Sequence, residues 1–378
     1  LCIPMHGRMI HDNQGNTFLS NYSGRENESI NSISRELLTA LLLDEAEALD
    51  NVTIEFNKRS TKVDFESKVG FFEDTISGET FEVSADLIFG TDGAGSSLRK
   101  SYYQERKFLF SFSQNYLTHG YKELTIQPTK GGDFKAYKNA LHIWPRGEYM
   151  IIALPNLDGS FTVTLFLAYE GGSYNFNNLT TKENVLNFFK NEFPDALELM
   201  PNLTSEFFEN PTAPLGTVKC FPWQYKGKNL LLGDAAHAIV PFYGQGMNAG
   251  FEGCFVLDQL MEKHGDDWLS CFNEYSKIRK PDGDGVQDLS MHNFIVMRDK
   301  TADPIFLLQK KIEQKFAQLY PEKWLPLYSM VSFSNISYAE AWVIGMEQEK
   351  LMSKIMNLPN IKETWDSDVI MQEMLKMC

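Results

Sequence analysis

The sequence feature that most constrains the fold is residues 229–250, NLLLGDAAHAIVPFYGQGMNAG. Residues 230–232 predict a short buried strand, Gly233 and Asp234 predict a tight turn, and the glycines that follow predict a second turn opening a long helix. α/β proteins bind ligands at the carboxyl edge of their sheet, and this strand would place the Asp234 carboxylate there. The stretch therefore predicts an α/β fold with a ligand site at a sheet edge.

The second turn has the composition of a cofactor cradle. Gly244 and Gly246 let the backbone approach a planar ligand closely, and the N–H groups that open the helix at Met247 and Asn248 favour partial negative charge. Asp234 could accept a hydrogen bond from a sugar or ribitol hydroxyl. A ligand-free strand, turn and buried helix is the alternative, but the spacing of the glycines favours a bound cofactor.

These residues resemble a known family. Residues 233–248 resemble the second FAD-binding motif of single-component FAD-dependent aromatic hydroxylases. Residues 86–99, DLIFGTDGAGSSLR, resemble the strand and Asp-Gly turn associated in that family with FAD and NADPH. Within the family, residues 119–124, 141–146 and 325–328 resemble the kynurenine monooxygenases in particular. The likeness extends from about residue 4 to about residue 338.

The resemblance implies an α/β (α+β) protein whose FAD-binding, Rossmann-like domain is interleaved with an antiparallel-sheet substrate domain. Residues 1–101 and 217–280 would form the FAD-binding domain, residues 102–216 the substrate domain, and residues 281–378 a C-terminal helical region. The chain opens without the strand, GxGxxG turn and helix that normally begin such a fold. We therefore expect that an N-terminal unit, which holds the ADP half of FAD in the family, is missing.

Several elements follow from the local pattern. Ser34 is a candidate N-cap for a helix over residues 36–49 with a buried, leucine-rich face. The pattern also predicts a strand over residues 4–11, a meander at 52–56, 62–65, 70–72 and 80–83, a parallel strand near Leu87, and strands at 141–146, 149–154, 161–166 and 218–221. Helices are expected at 182–192, 194–200 and 286–298, with Asp282, Gly283 and Asp284 as turn and cap residues before the last. The continuation after Asp284 does not suit a calcium-binding loop.

The resemblance also implies a substrate site. Arg8, Tyr22, Asn293 and Tyr328 would hold the amino-acid head of the substrate, with Arg8 pairing with its carboxylate. The ring would lie against an apolar wall, which the resemblance places at Leu141, Met150, Ile152, Leu154, Phe166, Pro241 and Phe242. The residues alone leave alternatives open, because Arg8 and Tyr22 could lie on the surface and the apolar side chains could simply fill a core.

For the cofactor, the resemblance implies contacts from Arg35, Asp92, Asp234, Gly244, Gly246, Met247 and Asn248. No side chain in the pattern is needed as a strong general base, and we assign no catalytic residue and no metal site. The implied activity is the FAD- and NADPH-dependent hydroxylation of L-kynurenine by O2 to 3-hydroxy-L-kynurenine, through a flavin C4a-hydroperoxide, in tryptophan catabolism. The alternatives are a hydroxylase of another aromatic acid, such as a hydroxybenzoate, or an inactive fragment.

Composition limits the partners. A net charge of −15 argues against nucleic acid or an anionic membrane surface as the main partner. Five scattered cysteines without a CxxC pair indicate reduced, mostly buried thiols in a cytoplasmic protein. No apolar run reaches the roughly 18 residues that span a bilayer. We expect a cytoplasmic monomer or homodimer.

Overall fold

The computed structural model describes residues 2–22, 28–300 and 303–378, except for the side chain of Asp299. The strands are β1 Cys2–Met5, β2 Gly7–His11, β3 Thr17–Asn21, β4 Ile30–Ile33, β5 Lys58–Asp64, β6 Val69–Asp74, β7 Thr80–Ser84, β8 Ile88–Gly90, β9 Ser111–Ile126, β10 Ala140–Pro145, β11 Met150–Pro155, β12 Phe161–Ala168, β13 Ala213–Phe221, β14 Gln224–Tyr225 and β15 Asn229–Leu231. The helices are α1 Arg35–Glu47, α2 Ser97–Gln104, α3 Lys182–Glu192, α4 Pro194–Leu199, α5 Leu203–Glu209, α6 Asp234–His237, α7 Gly246–His264, α8 Trp268–Ile295, α9 Pro304–Leu319, α10 Leu327–Phe333, α11 Tyr338–Met356, α12 Ile361–Thr364 and α13 Asp368–Met377. A 3-10 helix spans Pro241–Tyr243 and a π-helical turn spans Val296–Lys300. The α/β class predicted from the sequence is confirmed.

The largest sheet in the described part of the chain has seven strands in the order β13-β9-β12-β11-β10-β2-β3. Strand β2 runs parallel to β10, and the other neighbours are antiparallel. Strands β2 and β3, from the N-terminal region, thus extend the sheet formed by residues 102–216. Within that range, the strands predicted from the sequence at β10, β11 and β12 are confirmed. The division into domains at residues 101 and 216 stays a prediction.

The two faces of this sheet have different neighbours because successive side chains on a strand point in opposite directions. One face carries Trp144, Ile151 and Val163, which are buried with apolar residues of α3, α4 and α5. The other carries Ile143, Met150 and Phe166, which pack against the 3-10 helix and the end of α8. The first face is a core, whereas the second is the one on which a substrate pocket was expected.

The second structural centre is a small sheet in which β15 pairs in parallel with β8 and antiparallel with β14. Leu230 and Leu231 are fully buried there, as the sequence predicted. Gly233 follows with φ 54°, a backbone conformation that favours glycine, and Asp234 opens α6. The long helix predicted after the glycine cluster is α7, and the meander is β5-β6-β7.

The predicted start of the helix near residue 286 is wrong. Asp282, Gly283 and Asp284 lie inside α8, which continues through Pro281. The glycines allow close packing instead of a turn, because a Cβ on Gly285 would lie 2.7 Å from the backbone nitrogen of Ala339. Asp282 accepts a hydrogen bond of 3.1 Å from that nitrogen, so it stabilises the first turn of α11 rather than that of α8.

Other sequence predictions also need correction. Ser34 caps α1 as predicted, but none of the residues of α1 is buried, and Leu37 is 50% exposed. A leucine-rich face is buried only where another element covers it, and no element of the described chain does so here. Residues 52–56 form no strand, because the chain turns at Asn57 (φ 60°) before β5 begins. The strand predicted over residues 4–11 is two strands, β1 and β2.

The cysteines are all free, but Cys2, Cys254 and Cys378 are exposed, so the prediction of mostly buried thiols is wrong. In the described ranges, no helix is both long and apolar enough to cross a membrane. The same residues contain no cluster of three or more His, Cys, Asp or Glu side chains placed to hold a metal ion.

Candidate active site

Three of the residues expected to bind the substrate head come together at one edge of the seven-stranded sheet. Arg8 lies on β2, Tyr22 directly follows β3, and Tyr328 lies in the first turn of α10. The rings of Tyr22 and Tyr328 are stacked, with centroids 4.9 Å apart and planes 9° apart. The guanidinium carbon of Arg8 lies 5.5 Å from the Tyr22 ring centre and 5.0 Å from that of Tyr328.

This cluster contains polar atoms without partners. The Arg8 Nε atom and the Tyr22 hydroxyl are buried, and no described residue forms a hydrogen bond with either. Burial raises the pKa of both Tyr22 and Tyr328, so both remain neutral phenols that can donate a hydrogen bond. A buried cation beside unsatisfied donors suits a bound carboxylate, because the ligand would supply the missing acceptors.

Tyr243 belongs to the same cluster; the family resemblance implies that it forms the floor of the site with Pro241 and Phe242. Its ring stacks on that of Tyr328, with centroids 5.6 Å apart and planes 19° apart. Burial also raises the pKa of Tyr243.

Next to the cluster, the sheet supplies an apolar wall. Met150, Phe166 and Phe242 are buried in one group, and Ile152 packs against it. Phe166 and Phe242 lie 4.9 Å apart between ring centroids. Leu141 is the Cα partner of Arg8 in the parallel β2–β10 pairing, so the apolar wall and the Arg8 cluster share one face of the sheet.

The remaining predicted wall residues lie at its borders. Leu154 is half-buried, two residues beyond Ile152 on β11, and Pro241 is exposed at the start of the 3-10 helix. Phe294, which the sequence analysis missed, stacks on Phe242 with centroids 4.4 Å apart. Met291, Phe294 and Met297 recur every three residues, which is the helical periodicity that could have indicated a buried face.

Asn293 has a different position from the other predicted polar contacts. Its side chain is buried and donates a hydrogen bond of 2.7 Å from Nδ2 to the carbonyl oxygen of Phe242. This bond ties α8 to the 3-10 helix that carries part of the apolar wall. A direct contact between Asn293 and a substrate stays a prediction.

The predicted cofactor residues surround an open cleft at the carboxyl end of β15. An added Cβ on Gly93, Gly233 or Gly244 would meet no atom within 4 Å, and Gly244 has the left-handed φ of 68°. Gly246, Met247 and Asn248 form the first turn of α7, where unpaired N–H groups favour an anion. Asn248 donates a hydrogen bond of 2.9 Å to the side chain of Gln245.

Asp234 is exposed at this cleft and accepts no hydrogen bond from the described residues. Partial burial nevertheless raises its pKa, and the charge of Arg35 opposes that effect. Arg35 is exposed as the first residue of α1, near enough to Asp234 to act on its charge. Both side chains are therefore available to a ligand.

Asp92 is already engaged within the chain. It accepts hydrogen bonds from the backbone nitrogen and hydroxyl of Ser97, at 2.6 and 2.9 Å, at the start of α2. Partial burial favours the neutral acid, but hydrogen bonds from Ser96 and Ser97 outweigh it and lower the pKa of Asp92. Its predicted contact with a cofactor stays a prediction.

Arg99 connects the two turns and was not assigned from the sequence. Its guanidinium donates to the carbonyl oxygen of Ala235 at 2.7 Å and also to that of Ala94. The Asp-Gly turn after β8 and the Gly-Asp turn after β15 are thus held together by one buried cation.

Comparisons with known proteins agree with this architecture. The sequence pattern of a family described as "FAD binding domain" matches residues 7–288. A kynurenine 3-monooxygenase of Flavobacterium psychrophilum is 46% identical over 377 residues, covering 100% of this chain and 83% of the relative. The chain belongs to the kynurenine 3-monooxygenase family. Its resemblance to that family, stated from the sequence motifs, is confirmed.

Other members of the kynurenine 3-monooxygenase family also match over most of their length. The protein from Flavobacterium johnsoniae is 47% identical, covering 100% of this chain and 83% of its own length. The protein from Anopheles gambiae is 40% identical, covering 94% of this chain and 72% of its own length. Among solved structures, 2-methyl-3-hydroxypyridine-5-carboxylic acid oxygenase has a TM-score of 0.60 at 21% identity, covering 82% of this chain and 78% of that one. At this identity the structural likeness supports the fold alone.

Proposed function

We propose that the chain hydroxylates the aromatic ring of L-kynurenine to 3-hydroxy-L-kynurenine, using FAD, NADPH and O2. The relatives named kynurenine 3-monooxygenase support the reaction. The observation that carries the substrate is the pair of buried, unpartnered donors on Arg8 and Tyr22, beside an apolar wall on the same sheet face. An α-amino acid with an aromatic ring has the complementary features, a carboxylate and an apolar ring.

The cleft at the end of β15 fits a flavin dinucleotide. Asp234 offers a free carboxylate for ribitol hydroxyls, and Arg35 offers a cation nearby. Gly233 and Gly244 leave open space beside the backbone, and a larger side chain at either position would occupy that space. When bound, FAD would supply the redox chemistry that activates oxygen. The first turn of α7 would favour negative charge on its ring.

In this proposal the chain's own residues bind, orient and exclude water. Arg8, Tyr22 and Tyr328 would fix the amino-acid head, while Met150, Phe166 and Phe242 would hold the ring and keep solvent out. Asn293 would act on the ring indirectly. Its hydrogen bond to the carbonyl oxygen of Phe242 fixes the position of the 3-10 helix. No side chain of the cluster is a strong base, so we assign no catalytic residue.

We also propose a cytoplasmic protein that is a monomer or homodimer, without nucleic acid or membrane partners. The five free cysteines and the net charge of −15 support this proposal. Sedimentation of the purified chain would measure the oligomeric state, and fractionation of the source cells would measure the location.

The activity is tested with the purified chain and added FAD, by following NADPH oxidation with and without L-kynurenine and identifying the product by chromatography. Substrate-dependent oxidation with 3-hydroxykynurenine as product is the expected result. Hydroxybenzoate and salicylate serve as control substrates and should not accelerate NADPH oxidation. A chain that binds FAD, as its absorbance spectrum would reveal, yet responds to hydroxybenzoate and not to kynurenine would refute the substrate assignment.

A further inference from the structure

A chain of buried and half-buried polar groups lies behind β2, on the sheet face opposite the Arg8 cluster. His11 Nδ1 lies 2.7 Å from Asp195 Oδ2, and His11 Nε2 lies 2.9 Å from His142 Nδ1. His142 Nε2 lies 2.8 Å from the carbonyl oxygen of Tyr137, and Trp144 Nε1 donates to Asp195 Oδ2 at 2.8 Å. We call His11, His142, Trp144 and Asp195 the His11 network. It joins β2 and β10 to α4.

The hydrogen-bond directions in this network follow from its two ends. A carbonyl oxygen only accepts, so His142 carries its hydrogen on Nε2. Burial lowers the pKa of His142 to about 4, so near neutral pH its Nδ1 is bare and accepts.

The contact between His11 and Asp195 has the carboxylate as its acceptor. Burial alone would favour the neutral acid, but hydrogen bonds from His11 and Trp144 outweigh it and lower the pKa of Asp195. The carboxylate is thus ionised and accepts from Trp144 and His11 on the same oxygen. Because a carboxylate only accepts, His11 Nδ1 donates to Asp195, and this hydrogen bond joins β2 to α4.

This pair is placed to hold the strand that carries Arg8. Arg8 and His11 are three residues apart on β2, so their side chains point to opposite faces. Beyond β2 the sheet has only β3, whose residues are all exposed, so β3 offers little support. From behind, Arg146 also donates to the carbonyl oxygens of His11 and Asp12, at 3.0 and 3.2 Å.

We propose that His11 and Asp195 are positioning residues for substrate binding: their hydrogen bond fixes β2 so that Arg8 faces Tyr22 and Tyr328. This inference rests on the proposed function for the identity of the substrate. Charged groups near the network are Arg146 directly after β10, Asp12 after β2 and Glu192 at the end of α3. Because this hydrogen bond lies behind the site, a substitution that weakens it would disturb Arg8 without touching the substrate.

Asp195→Asn is the decisive variant. An amide oxygen in place of Oδ2 can still accept from both His11 and Trp144, but it lacks the negative charge, so both hydrogen bonds become weaker. Glu198→Gln is the matched control, because Glu198 is exposed on the same helix and the substitution makes the same change in charge.

Nuclear magnetic resonance of the chain without substrate gives the first readout. We expect Asp195→Asn to shift the Trp144 Nε1–H signal and the Arg8 Nε–H signal, and Glu198→Gln to leave both in place. An Arg8 signal that Asp195→Asn leaves in place would overturn the proposal.

The second readout is the dissociation constant for L-kynurenine, measured by calorimetry. We expect Asp195→Asn to raise it about tenfold, with KM rising in parallel and kcat nearly unchanged. Val163→Ala, which opens a cavity in the core on the same sheet face, is the control for general destabilisation and should leave both constants unchanged. Equal weakening by Val163→Ala would overturn the positioning role. If the unaltered chain does not bind kynurenine, the proposed function is refuted. The positioning role of His11 and Asp195 is then tested by the Arg8 signal alone.

Discussion

Arg8 depends on residues that lie far from it along the chain. Its nearest aromatic neighbours, Tyr22 and Tyr328, come from the loop after β3 and from α10. None of these neighbours neutralises its charge, and its buried Nε has no hydrogen-bond partner among the described residues. A cation held in this way favours an anionic ligand over any internal contact.

We predict that Arg8→Ala weakens the binding of L-kynurenine by about 2 to 4 kcal/mol, because the substrate carboxylate loses its charged partner. Calorimetric titration measures the change. Arg59→Ala removes an exposed arginine paired with Glu73 and serves as the control, with an unchanged dissociation constant. Equal affinities for the unaltered chain and Arg8→Ala would exclude this role.

Tyr22→Phe should weaken kynurenine binding without lowering the free energy of unfolding. The Tyr22 hydroxyl is buried without a hydrogen bond from the described residues, so its removal should leave the free energy of unfolding unchanged or raise it slightly. Without that donor, kynurenine binding should weaken by about 1 kcal/mol. Denaturant unfolding and calorimetry measure the two changes. A loss of stability with unchanged affinity would mean that the hydroxyl serves the fold.

At the scale of elements, α8 joins the parts of the site. It donates from Asn293 to the 3-10 helix, presents Phe294 to Phe242, and receives α11 at Gly285. Close packing between α8 and α11 requires a residue without a side chain at position 285. The glycines of 281–285 therefore mark a helix crossing and not a turn.

Gly285→Ala should destabilise the chain by about 1 to 3 kcal/mol, because its Cβ would lie 2.7 Å from Ala339 N and would force α8 and α11 apart. The matched control is Gly250→Ala in α7, where an added Cβ meets nothing within 4 Å. There alanine should stabilise the helix by about 0.5 to 1 kcal/mol. Denaturant unfolding without ligand measures both, and the same sign for both substitutions would contradict the prediction.

At the scale of the whole molecule, buried neutral histidines couple stability to pH. Burial lowers the pKa of His142 and of His237 to about 4, against an ordinary value of 6.5. Between these values the unfolded chain binds more protons than the folded chain. The free energy of unfolding therefore falls as the pH falls from about 6.5 to about 4.

We expect His237→Leu to reduce this pH dependence by up to about 1.4 kcal/mol per pH unit, since one proton fewer is taken up on unfolding. Denaturant unfolding at several pH values between about 4 and about 7 measures the slope. Leu260→Ala, on the buried face of α7, should lower stability at every pH and leave the slope as it is. An unchanged slope in His237→Leu would show that His237 does not couple folding to protons in this range.

The sequence by itself determined the elements whose signals are local. The buried strand and Gly-Asp turn at 229–234, the helix after Gly244, the Ser34 cap and the alternating strands β10 to β12 all depend on neighbouring residues, and the structure has them. The motifs also identified the kynurenine 3-monooxygenase family. The family resemblance named Arg8, Tyr22 and Tyr328 as substrate contacts, although no local pattern connects them.

Only the tertiary structure decided which elements and side chains lie next to each other. The exposed leucines of α1 and the continuous α8 differ from the sequence predictions because burial and glycine packing depend on which surfaces meet. Phe294 and Arg99 entered the site description through contacts with residues remote in sequence. The hydrogen bond between His11 and Asp195 likewise depends on α4 lying next to β2. Distances between elements are set by packing of the whole chain, and no local pattern encodes them.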